Sequence, residues 1–270
     1  MIYDPNKPLL RLLLVALALI GLVVYGFSVS HTDIAMDFLA RNQAPSDQYW
    51  FGTDNLGRSL WLRCFQGMLS SLNIGVTSAV VSGAIALIFA GISSINRYCD
   101  FFVRGVVDAL LALPHLLLLI LICFTLGGGQ QGVIWAVALT HWPKLALILR
   151  GEIQRIREAD YVMLSRRIGN TPFECVKKHY IPMLLPQWIV GTLLMFPHAV
   201  LHSAALSFLG FGQAAHEPSL GLLLADALRY LSTGSWWMVV FPGLILMCLV
   251  LIFDQFAKAM QQLWLRGAGC

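Results

Sequence analysis

At 270 residues, 58% hydrophobic and only 12% charged, the chain has too few charges for an ordinary soluble domain, which is nearer half apolar and a quarter charged. A lipid bilayer is the implied solvent. The net charge of +4 does not signal nucleic acid, because the basic residues are interleaved with apolar runs of membrane-spanning length and gather into no single patch.

The first apolar run, Leu9 to Val29, is interrupted only by Arg11. It is long enough to cross ~30 Å of hydrocarbon at ~1.5 Å per residue, whereas the apolar core of a secretory signal is ~7–15 residues. No small-residue cleavage site follows, so residues 1–30 are expected to form a permanent transmembrane helix. Residues 31–68 form a polar segment, and five further runs follow at 69–92, 105–126, 132–150, 188–210 and 235–257. The pattern predicts an all-α integral membrane protein of about six spans. Its five-helix core is 69–257 and its tail is 258–270.

Six spans place both termini on one side. Of the 18 Lys and Arg residues, four (Arg41, Arg58, Arg63 and Arg229) fall on the face of the 31–68 segment, leaving 18 − 4 = 14 for the other face. The positive-inside rule makes that other face cytoplasmic. Lys144 lies inside the fourth run, and its long stem is expected to snorkel toward the cytoplasmic end.

Residues 151–187, on the cytoplasmic side, alternate apolar and charged residues at helical spacing. Ile153, Ile156, Tyr161, Leu164 and Ile168 are interleaved with Arg155, Arg157, Arg166 and Arg167. Such a pattern lies along an interface or docks a partner. Gly169 is expected to end one short helix, with Thr171 as N-cap and Pro172 at the first position of the next. Pro182 and Pro186 are expected to close that second helix.

The six cysteines, Cys64, Cys99, Cys123, Cys175, Cys248 and Cys270, form no CxxC pair and imply neither a metal cluster nor a disulfide framework. The sequence contains no Gly-Lys pair, so a phosphate-binding GxxxxGK[ST] loop is absent, and HExxH is absent too. Gly127 to Gln131 resembles an ATPase signature loop only in its letters, since it falls in an outer loop. No uphill movement is expected of this chain alone.

Within the fifth run, Met195, His198 and His202 share one helical face, with Pro197 between them. This soft stripe either touches a metal cargo or packs and hydrogen-bonds across to a neighbouring helix. His141 joins His198 and His202 in an alternative reading as an intramembrane enzyme. Asp108 and Asp254 are intramembrane carboxylates expected near cytoplasmic helix ends. Asp226 and Arg229 are expected to pair on a short outer helix.

Three stretches resemble the inner-membrane permeases of ATP-binding-cassette (ABC) importers of the dipeptide, oligopeptide and nickel family. Phe51 to Arg63 is similar to the family's periplasmic GTD-x-x-GR block, with Gly52, Thr53, Asp54, Gly57 and Arg58 in place and Ser59 where an acidic residue is usual. In the cytoplasmic loop, Gly169 and Ile181-Pro182 fit the family's spacing, although Met163, Leu164 and Ser165 stand where it has Glu-Ala-Ala. Leu201 to Gly212 resembles its LSFLGLG block. His202, the neighbouring Ser203 and the pair His141-Trp142 resemble the nickel branch.

The resemblance implies a fold of the type I ABC importer permease kind in the bacterial inner membrane. It also implies a second homologous permease, two cytoplasmic ATPases that bind the ATP and magnesium, and an extracytoplasmic solute-binding protein. No cofactor is expected in this chain. Ser165, Ile168, Gly169, Pro172, Ile181 and Pro182 would couple to the ATPases, and Met195, His198, His202 and Ser203 would line the pathway. The implied cargo is nickel or another transition metal, free or chelated, with di- or oligopeptides as the alternative.

Overall fold

A computed structural model describes residues 7–32, 34–212 and 218–267; Cys270 and the end of the predicted tail lie outside them. Among the described residues ten α-helices follow in chain order: α1 (Lys7–Ser30), α2 (Leu60–Ser93), α3 (Arg97–Ala112), α4 (His115–Thr125), α5 (Gly129–Glu158), α6 (Asp160–Arg167), α7 (Pro172–Cys175), α8 (Ile181–Phe208), α9 (Leu220–Leu231) and α10 (Trp237–Gly267). Five candidate spans are long and apolar enough to cross a membrane, and α3 with α4 makes a sixth if that bent pair counts as one.

Two span boundaries differ from the sequence expectation. The second span begins at Leu60 and not near residue 69, because Leu60, Cys64 and Met68 are already buried. The charge of Arg63 breaks the apolar run there but is itself buried against Asp54. The third run is two helices bent by 100°. Leu113, preceding Pro114, takes the extended backbone (ψ 144) that a following proline favours, and α4 restarts at His115.

A third difference concerns the prolines of the loop. Pro182 and Pro186 do not close a helix: α7 passes through one π turn, Val176–Tyr180, directly into α8. The π turn shifts the register to i→i−5, with the Ile181 N–H on the Val176 carbonyl, and this wider turn directly ahead of Pro182 lets the helix continue.

The core lies where α2 crosses α5 and α8. One face of α2 buries Cys64, Gly67, Ser71, Gly75, Ser78, Ser82, Ala86 and Ala90 at steps of three or four residues. Small residues at this spacing let helix backbones approach closely. A Cβ on Gly75 would come within 2.4 Å of Val200. The Ser78 hydroxyl donates to the Ile134 carbonyl of α5 at 3.3 Å, and Trp188 Nε1 donates to the Gly83 carbonyl at 2.8 Å.

α1 packs on α2 through Tyr25, whose hydroxyl accepts from Trp61 Nε1 at 2.7 Å, and on α10, where Arg11 donates to Gln255. Its outer face leaves Leu10, Leu14 and Leu17 exposed, as suits contact with lipid.

The intramembrane carboxylates also differ from expectation. Asp254 pairs with Lys258 at 2.7 Å and lies well inside α10, which runs on to Gly267. Asp108 is exposed within α3, not at the helix start. Asp226 and Arg229 do share the short helix α9, but no ion pair joins them among the described residues.

Candidate functional site

The GTD block is a buried knot at the outer start of α2. Asp54 is 1% exposed, and its carboxylate accepts from the backbone N–H of Leu56 (2.8 Å) and Arg58 (2.9 Å), from Arg58 Nε (2.8 Å) and from Arg63 Nη1 (2.7 Å). Thr53 is fully buried. Its hydroxyl donates to the Ala40 carbonyl and accepts from the Gln43 N–H, while its carbonyl accepts from Trp237 Nε1 at 3.2 Å. Gly52 and Gly57 both have φ of +74°. At Gly57 a Cβ would lie 1.7 Å from the Asp37 carbonyl oxygen, so only glycine fits. The block holds the loop 34–59 onto the bundle. Arg63, given no role on sequence grounds, is the buried partner that completes it.

A cavity of about 620 Å³ lies between α3, α4, α5 and α8. His115, His141, Lys144, Met195, His198 and His202 line it. Three of the imidazoles converge. Ring centroids are 4.8 Å apart for His115 and His141, 4.7 Å for His115 and His202, and 5.1 Å for His141 and His202. One nitrogen from each lies within 4.8 Å of the others.

The break at Pro114 brings His115 to this cavity, and two further prolines lie beside other histidines of the lining. His115 follows Pro114 at the break between α3 and α4, Pro143 lies two residues after His141 within α5, and Pro197 precedes His198 within α8. His141 Nδ1 is 2.9 Å from the Val137 carbonyl oxygen, which can only accept. The ring proton therefore sits on Nδ1 and leaves a lone pair on Nε2. That Nε2 is buried and has no hydrogen-bond partner.

Such a set can hold a transition metal, since neutral imidazole nitrogens suit nickel, copper, zinc and iron. Donors ~2.0–2.1 Å from a tetrahedral ion stand roughly 3.3 Å apart, closer than the present spread of up to 4.8 Å. The trio is an open set that must contract to chelate, which suits a weak, releasable contact.

Of the four residues predicted to line a pathway, Met195, His198 and His202 do line the cavity. Ser203 does not. It is 2% exposed and donates to the Val200 carbonyl at 2.8 Å, because the next residue on a helix points ~100° away from His202. His115, not singled out from sequence, is brought in by the bend at Pro114. The proline was the available signal.

The loop between α5 and α8 folds largely as its caps predict. Gly169 takes φ +101° after α6. Thr171 and Glu174 form a reciprocal capping box, with Pro172 opening α7. Ser165 points inward at 7% exposure, accepting from Asn170 Nδ2 at 2.8 Å. Ile168 (74% exposed) and Phe173 (77% exposed) instead project outward. Phe173 was not singled out on sequence grounds, although an aromatic directly after the helix-opening proline stands out there. Pro172, Ile181 and Pro182 are exposed near them in sequence.

Residues 50–265 match the family described as binding-protein-dependent transport system inner membrane component. The chain is 31% identical over 258 residues to the dipeptide transport system permease protein DppC of Bacillus subtilis (strain 168), covering 95% of this chain and 81% of that one. It is 37% identical over 204 residues to a putative peptide transport system permease protein of Brucella suis biovar 1 (strain 1330), covering 76% and 69%. Both relatives are named for peptides and not for nickel.

Among solved structures, the MetNI methionine ABC transporter in an inward-facing conformation matches with a TM-score of 0.60 at 21% identity, covering 74% of this chain and 97% of that one. An amino acid ABC transporter crystallised with histidines matches at 0.59 and 16%, covering 74% and 93%. These likenesses show the type I ABC importer permease fold. The chain belongs to the binding-protein-dependent transport system inner membrane component family and is a permease subunit of an ABC importer.

Proposed function

We propose that this subunit forms half of the translocation pathway for a transition metal such as nickel, free or chelated, with His115, His141 and His202 as the transient contacts. The observation that carries this reading is the convergence of three imidazoles from α4, α5 and α8 on one cavity, with the lone pair of His141 Nε2 left unused. The other half of the pathway comes from a homologous permease. Two ATPases, which hold the ATP and magnesium, dock on the loop 151–187 through Ile168 and Phe173, and a solute-binding protein delivers cargo on the opposite face. ATP-driven closure of the ATPases moves that loop and rocks the bundle between outward and inward openings.

Import of di- or oligopeptides is the second reading, and the names of the relatives favour it. The intramembrane-enzyme reading is set aside, because the family is one of transport permeases. Solute-stimulated ATP hydrolysis by the reconstituted complete importer separates the two cargoes. Nickel, alone or chelated, should stimulate hydrolysis, and His202→Ala should reduce the stimulation while the complex still assembles. Stimulation by peptides with none by metal under any chelation condition would establish the peptide reading.

A further inference from the structure

Between the docking loop and α8 the backbone carries one residue more than an α-helix would. The Ile181 N–H donates to the Val176 carbonyl, five residues back, and Val176–Tyr180 is a single π turn with α-helix on both sides. A bond to residue i−5 in place of i−4 encloses one extra residue in the turn. Proline alone does not account for it. Pro143, Pro186, Pro197 and Pro242 also lie inside helices, and no π turn precedes them among the described residues.

The turn joins two segments that are each fixed by their own packing. On the loop side Cys175 is 1% exposed, with its Sγ 3.8 Å from Ser165 Oγ of α6, and α6 is held in turn by the fully buried Val162. On the bundle side Trp188 of α8 is bonded to the Gly83 carbonyl of α2. Tyr161 of α6 straddles the turn, its ring 5.5 Å from that of His179 and its hydroxyl 2.8 Å from Met183 Sδ. Phe173 and Cys175, two residues apart, point roughly 200° apart on a helix, so burying Cys175 turns Phe173 outward. Taking the surplus residue into a continuous α-helix would rotate α7 by roughly 100° against α8 and undo that arrangement.

We infer that the π turn Val176–Tyr180 is a register adapter. It absorbs one surplus residue, so that α7 keeps Cys175 inward and Phe173 outward while α8 keeps its own face in the bundle, and it thereby positions Phe173 for the ATPases. The last step rests on the docking role proposed above for Phe173.

Deletions in the assembled permease–ATPase complex in lipid nanodiscs test it. Lys177 and Lys178 are both exposed, and the double substitution Lys177→Ala, Lys178→Ala controls for their side chains. Removing Lys177 alone lets the turn close to an α register with both faces kept, so alkylation of Cys175 by N-ethylmaleimide, read by peptide mass spectrometry, should stay within about twofold of wild type. Removing Lys177 and Lys178 together leaves the segment one residue short, turns α7 by roughly 100°, and should speed that alkylation about tenfold or more and release the ATPases on a salt wash.

Exposure of Cys175 already in the single deletion, or its protection in both, overturns the inference. Cys64, buried in the bundle, should stay unreactive throughout. If it reacts in the double deletion, the single deletion alone decides, protection of Cys175 supporting the adapter and exposure overturning it. If Cys175 follows the expected step but the ATPases stay bound in the double deletion, the adapter stands and the docking role of Phe173 fails.

Discussion

Replacing Asp54 by alanine should be among the most damaging single changes outside the pathway. The carboxylate is 1% exposed and accepts four hydrogen bonds, two of them from Arg58 Nε and Arg63 Nη1. Arg58 retains some access to solvent at 15% side-chain exposure, but Arg63, at 4%, would be left as a buried charge without a counter-ion. Removing one partner of a buried pair costs about 3–5 kcal/mol, mostly from the orphaned charge. At ~2–4 °C per kcal/mol for a chain of this size, thermal unfolding of the purified complex should fall by roughly 6–20 °C. Asp54→Ala combined with Arg63→Met removes the orphan and should recover much of the loss, which a double-mutant cycle measures directly. A shift below ~2 °C, or a double variant no more stable than Asp54→Ala, would refute the assignment of the block as a charge-paired knot.

On the docking loop, Phe173→Asp or Ile168→Asp should abolish solute-stimulated ATP hydrolysis by most of its amplitude while leaving the subunit stably inserted. Full stimulation in both variants would place the dock elsewhere. For orientation, a cysteine placed at Gln43 should react with an impermeant thiol reagent from outside whole cells, and one placed at Gln154 only after the membrane is opened. The reverse pattern would invert the topology.

The features legible in the sequence are those decided locally. Span lengths follow from apolar runs, and the turn at Gly169 to Pro172 follows from cap chemistry confined to a few residues. What was missed depends on contacts distant in sequence. Arg63 hides the true start of α2 because only its tertiary partner Asp54 allows a charge there. Hydropathy reads through Pro114 because Leu113 and the leucines after His115 are equally apolar, although the backbone turns by 100° at that point. The histidine stripe on α8 was visible from spacing, whereas its union with His115 and His141 is a property of three packed helices. Ser203 was drawn in by the family resemblance, which has an acidic residue at that place in peptide-type members, and helical geometry turns it into the core.

The central claim is that three imidazoles meet on a transition metal. X-ray absorption at the nickel edge, recorded on the assembled permease–ATPase complex loaded with Ni2+ in nanodiscs, tests it most directly. The account predicts outer-shell scattering from two to three imidazole rings, reduced by one ring in each of His115→Ala, His141→Ala and His202→Ala. A spectrum with only oxygen ligands, unchanged across the three variants, would contradict it.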